Sequence, residues 1–137
     1  MVFFELFSHN PEIIKVPAGT ALFRAGEEGH QMYVVSTGTA QVIVNDRVVE
    51  TLRHGSVIGE VSMLLPGPHS ATVLAVTDCE FVAVDEKRFR FLVQQTPFFA
   101  TQVMRMMAER LRKTNQLVGA TQGLAARDSY SVITPSE

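Results

Sequence analysis

The run QMYVVSTGTAQVIVNDRVVETL, residues 31–52, decides the fold. It contains three short stretches rich in Val, Ile and Thr, at Gln31–Ser36, Thr39–Val44 and Arg47–Leu52, separated by Gly38 and by Asn45-Asp46. β-branched residues suit a pleated, half-buried surface. Gly38 supplies a tight connection, and Asn-Asp between two apolar runs predicts a hairpin turn. The pattern extends outward in both directions. Glu12–Val16 and Ala21–Arg24 precede this core, and Thr72–Val76 and Glu80–Val84 follow it. Short strands at this spacing predict an all-β sandwich or barrel.

The period changes beyond Asp85. Residues 86–95 place Phe89, Leu92 and Val93 on one helical face, and Thr96-Pro97 ends that helix and opens another. Between Pro97 and Gly119 there is neither Gly nor Pro. Ala100, Met104, Met107, Leu111, Thr114 and Val118 recur at alternating three- and four-residue steps, which predicts a narrow coiled-coil-like seam. Gly119 is expected to stop this helix. Residues 2–7 predict a short apolar helix before Asn10-Pro11. The expected organisation is one domain over residues 1–118 and a loose tail over 119–137.

One segment breaks the β pattern. Gly59-Glu-Val-Ser-Met-Leu-Leu65 is helical in character and is closed by Pro66-Gly67-Pro68. A short helix there turns unpaired N–H groups toward one spot, where an anion would bind. The alternative is a plain loop closing the roll.

Composition narrows the function classes. A net charge of -2 gives no general drive toward nucleic acid or anionic membrane. Cys79 is the only cysteine, which excludes an internal disulfide. In its apolar strand it reads as an inert core thiol. The N-terminus lacks a basic region ahead of its apolar residues, and no uninterrupted apolar window of about 18 residues occurs. A soluble, cytoplasmic protein without membrane contact is expected. His9, His30, His54 and His69 are widely spaced, so no metal site is expected, and no nucleophile motif points to a catalytic residue or an enzyme.

Residues 17–26, PAGTALFRAG, with Met32–Gly38, and the run IGEVSMLLPGPHSATV at 58–73 together resemble the cyclic-nucleotide-binding domain family. The likeness runs from about Phe3 to Val118. It implies a mainly β, α+β fold: an eight-stranded antiparallel, jelly-roll-like β-roll with a short phosphate-cassette helix, an N-terminal helix and two C-terminal helices. It also implies a site built from Gly59, Glu60, Val61, Ser62, His69, Ser70 and Ala71. Gly59 would let the backbone approach the ligand, Glu60 would accept from the ribose 2′-hydroxyl, and Ser70 and Ala71 would meet the cyclic phosphate. Thr114 falls where the catabolite activator branch places a threonine against the base, and Asn115 where its neighbour reaches across a dimer. Met104, Met107, Leu111 and Val118 would form the dimer helix.

Two departures from the family pattern matter. His69 stands where the family carries an arginine, whose cationic fork suits a phosphate; otherwise it is a surface turn residue. Transcription-factor relatives continue into a helix-turn-helix, and about 19 residues follow the last helix here, so direct DNA binding is not expected. Glu60 has a second reading too, as a carboxylate capping neighbouring turns. Arg105, Arg110, Arg112 and Lys113 read as a solvated helix face, or as a source of the charge that His69 lacks. The expected ligand is cAMP or cGMP, with no cofactor. The expected role is a regulatory module signalling to an unidentified downstream protein through its last helix. The alternative is a degenerate fold kept for dimerisation or protein interaction.

Overall fold

Each of the seven apolar runs is a strand in the computed structural model, which describes residues 12–122 with side chains as far as Gln116. The helix expected over residues 2–7 and the residues beyond 122 lie outside the described residues. The strands are β1 (Glu12–Val16), β2 (Ala21–Phe23), β3 (Glu28–Gly29), β4 (Gln31–Thr37), β5 (Ala40–Val44), β6 (Arg47–Leu52), β7 (Val57–Ile58), β8 (Gly67–Pro68), β9 (Thr72–Ala75) and β10 (Cys79–Asp85). The helices are α1 (Glu60–Leu64), α2 (Glu86–Gln95) and α3 (Pro97–Gln122).

Two four-stranded antiparallel sheets form, in the orders β1-β10-β4-β7 and β2-β9-β5-β6, with a two-stranded ribbon β3-β8 beside them. The eight strands of the sheets match the eight-stranded β-roll expected. Period-two alternation assigns the faces. Val16, Val35, Phe81 and Cys79 from the first sheet meet Phe23, Val42, Val73 and Ala75 from the second in one buried core. On the opposite face of the first sheet, Val34 pairs with Val82 and Met32 with Val84, and all four are fully or almost fully buried. Helix α1 packs on β4 and α2 on β10, so β10 is covered on both faces. That double cover explains its unbroken apolar run Phe-Val-Ala-Val.

Asn45 and Asp46 have φ of 53° and 64°, the pair of left-handed residues that a type I′ hairpin needs. The expected turn is there. Asp85 caps α2 by accepting the Arg88 N–H at 2.8 Å.

Two features differ from expectation. Strands β3, β7 and β8 have two residues each, too few to leave a period in the sequence. Gly119 does not stop the last helix, whose backbone continues to Gln122. A mid-helix glycine costs only about 1 kcal/mol relative to alanine, too little to end a helix of this length. Cys79 is 2% exposed and burial pushes its thiol pKa up, consistent with the inert core thiol expected. Among the described residues, no helix is long and apolar enough to cross a membrane.

The chain divides into two compact units at Pro97/Phe98. In the second, Met104 and Leu111 are exposed and Met107 is half-buried. Val118 lies on the helical backbone beyond the described side chains.

Candidate ligand site

The segment between β7 and β9 folds back on itself. Gly59 opens it with a left-handed φ of 84°, a conformation that side chains resist. A Cβ on Gly59 would also lie 3.1 Å from the Gln31 carbonyl oxygen. Glycine is therefore favoured here by torsion, and a side chain would also be tight against β4. Helix α1 follows at once, and its first bond runs from Met63 N–H to the Gly59 carbonyl at 3.2 Å. The amides of Glu60, Val61 and Ser62 precede that bond and have no acceptor within the helix. The helix turns Glu60, Ser62 and Met63 inward and leaves Val61 and Leu64 exposed.

His69 closes the segment from the other end. Its N–H donates to the Glu27 carbonyl and its own carbonyl accepts from Gly26 N–H, both at 2.8 Å. These bonds continue the β3–β8 ribbon and carry the side chain into the roll. The imidazole stacks on Phe23 at a centroid distance of 3.6 Å and 8° from parallel. Its Nδ1 hydrogen-bonds Ser62 Oγ at 3.2 Å. On its other edge Gly29 leaves room for it, since a Cβ there would overlap Nε2 and Cε1. Phe23 in turn packs near Tyr33 at 6.0 Å, and Tyr33 meets Phe81 edge-on. His69 is thus 7% exposed, not a surface turn residue. The reason is that a flat ring fits between Phe23 and Gly29, which come from strands far away in sequence.

Burial pushes the His69 pKa below its ordinary value, while the carboxylates of Glu27 and Glu28 pull it up. The net direction is down, so the ring is neutral near pH 7 and is not a substitute cation in the free protein. A stability test follows. Above the unfolded value of about 6.5 both states are neutral; below it the unfolded chain takes up the proton first, so acidification costs stability. Wild-type protein is expected to lose more urea resistance than His69→Gln between about pH 7.5 and about pH 5.5. Equal losses would remove His69 as the cause.

The cassette residues predicted from sequence are brought together in part. Glu60 is 6% exposed and Ser62 6% exposed, while Ser70 is exposed and Ala71 half-buried, between β8 and the first rung of β9 at Thr72. Thr114 and Asn115 belong to the second unit. Thr114 is exposed and donates its hydroxyl to the Arg110 carbonyl at 3.1 Å, and Asn115 is half-buried. Arg105, Arg112 and Lys113 are exposed, as a solvated face requires. Sequence reasoning missed Phe23 and Gly29, the two walls of the His69 slot. Only the FRAG and EEG surroundings of these residues hinted at turns, and nothing local marks a stacking partner.

A sequence model described as the cyclic nucleotide-binding domain matches residues 13–96. The cAMP-activated global transcriptional regulator CRP of Salmonella typhimurium is 31% identical over 121 residues, which is 84% of this chain and 58% of that protein. The cAMP-dependent protein kinase regulatory subunit of Eremothecium gossypii is 35% identical over 83 residues, 61% of this chain and 18% of that protein. The chain therefore spans little more than half of the first relative's length. Among solved structures, the catabolite activator protein of Thermus thermophilus superposes with a TM-score of 0.75 at 24% identity, covering 85% of this chain and 62% of that one. That likeness supports the fold. With the β-roll, the left-handed glycine and the folded-back segment in place, and the match spanning both sheets, the chain belongs to the cyclic nucleotide-binding domain family.

Proposed function

We propose that this domain is a regulatory module that senses a cyclic nucleotide, cAMP in preference to cGMP, and passes the signal to a partner protein by movement of α3. The observation that carries this reading is the closure of residues 58–73 by the Ser62–His69 bond. It sets the buried Glu60 and the first-turn amides of α1 at one end of the segment and Ser70 and Ala71 at the other. In this reading Glu60 holds the ribose, and the amides with Ser70 and Ala71 hold the phosphate. Thr114 and Asn115 serve the base, and α3 pairs with its copy through Met104, Met107, Leu111 and Val118. The two curated relatives named for cAMP support the choice of base. Ligand contacts that favour one placement of α3 over another are the signal.

Calorimetry and thermal unfolding with cAMP and cGMP test the reading. Heat and a raised midpoint at millimolar ligand or below are expected, and neither effect with either nucleotide would defeat it. His69→Arg supplies a permanent cation with a planar fork able to stack on Phe23, and tighter cAMP binding by about tenfold is expected.

A second reading is favoured by the neutral, stacked His69 and the exposed apolar positions of α3: a degenerate fold kept for dimerisation or docking. It predicts that Met107→Asp or Leu111→Asp yields monomers in sedimentation, while cassette substitutions change nothing. A cassette variant that loses nucleotide affinity decides against it.

A further inference from the structure

We propose that a cyclic nucleotide binds this domain together with one proton, which His69 takes up so that the Ser62 hydroxyl is released to the phosphate. The inference rests on the nucleotide reading above and adds its proton requirement.

Ser62 Oγ and His69 Nδ1 are 3.2 Å apart, and both side chains are buried. A hydroxyl has a single proton to donate. While the imidazole is neutral with its proton on Nε2, the Ser62 proton is spent on Nδ1, and the oxygen offers an approaching anion only lone pairs. Protonation of Nδ1 reverses the bond. Nδ1–H then donates to Oγ, and the hydroxyl proton turns to a phosphate oxygen. One proton leaves the solvent and one N–H bond forms; nothing is oxidised and no other bond breaks.

The surroundings keep the ring neutral until an anion arrives. Phe23 of β2 covers one face, and Gly29 of β3 abuts the Nε2 edge. Burial opposes the imidazolium, while the Glu27 and Glu28 carboxylates beside the ribbon favour it. The other charged groups on the elements packed around the ring are Arg24 after β2, exposed, with its N–H bonded to Glu27 Oε1 at 3.0 Å, and Glu60 on α1, buried. A phosphate next to Ser62 adds a negative charge and shifts the balance toward imidazolium. The Ser62–His69 pair thus draws from solvent the charge that an arginine carries permanently, and affinity becomes dependent on pH.

Calorimetry of cAMP binding in several buffers of different ionisation enthalpy counts the protons taken up. At about pH 8 the count is expected to approach one, with Kd weakening about tenfold per pH unit above neutrality. Ser62→Ala is expected to bind more weakly and without uptake, and Ser62→Thr, which keeps the hydroxyl, to restore both. Binding by the wild-type domain with no proton uptake, or uptake that persists in Ser62→Ala, overturns the relay and leaves nucleotide binding standing. Absence of binding by cAMP and cGMP at every pH overturns the nucleotide reading and the relay with it.

Discussion

Glu60→Ala is expected to weaken cyclic-nucleotide binding by roughly 10- to 150-fold. The figure follows from a hydrogen bond to a charged group, worth about 1.5–3 kcal/mol, converted to affinity. The carboxylate suits that role because its place is set before any ligand arrives. Gly59 turns the chain with a left-handed φ, α1 begins at Glu60 itself, and burial holds the side chain to the inside of the helix. Preorganisation of this kind lowers the ordering cost of binding. Glu60→Gln keeps the shape and one acceptor oxygen, so its loss should be smaller. Calorimetry of both variants, with thermal midpoints to confirm folding, measures the effect. Unchanged affinity in a folded Glu60→Ala protein would assign the carboxylate to capping its own turns.

Gly38→Ala is expected to destabilise the fold by roughly 2–5 kcal/mol, the combined cost of forcing a side chain into the left-handed region and of overpacking. Gly38 connects β4 to β5 with φ of 91°, and a Cβ there would press into the Asp78 carbonyl oxygen and Cys79 Sγ. The first obstacle is backbone and cannot swing aside. Gly19 is the internal control. Its φ of 83° is similar, but nothing stands within 4 Å of its Cβ position, so Gly19→Ala should cost only the torsional share, about 1–2 kcal/mol. Urea midpoints separate the two contributions. Equal losses at both glycines would mean that the β10 entry yields and that the steric share is absent.

These two tests probe different levels of legibility. The position of Gly38 between two apolar runs marks it as a tight connection, but nothing local marks the wall it faces, because Asp78 and Cys79 lie about forty positions away. A helical interruption of the β pattern singles out Gly59 and Glu60, and a short helix forms there. His69 is the opposite case. A histidine after proline in a turn-rich run resembles any surface residue, and its burial depends on a phenyl ring in β2, a missing side chain in β3 and a hydroxyl in α1. The stop expected at Gly119 failed for another reason. Propensity is a small local quantity, and a helix already about six turns long absorbs one unfavourable residue.

The sequence by itself determined the seven longer strands, the Asn45-Asp46 hairpin, the helical break after Ile58 and the family. Each of these depends on alternation, turn chemistry or motif spacing within a few neighbouring residues. The tertiary structure alone decided which sheet each strand joins, that β10 is covered on both faces, and that His69 is a buried ring stacked on Phe23 and bonded to Ser62. Those outcomes arise from contacts between distant segments, where burial sets the packing partner.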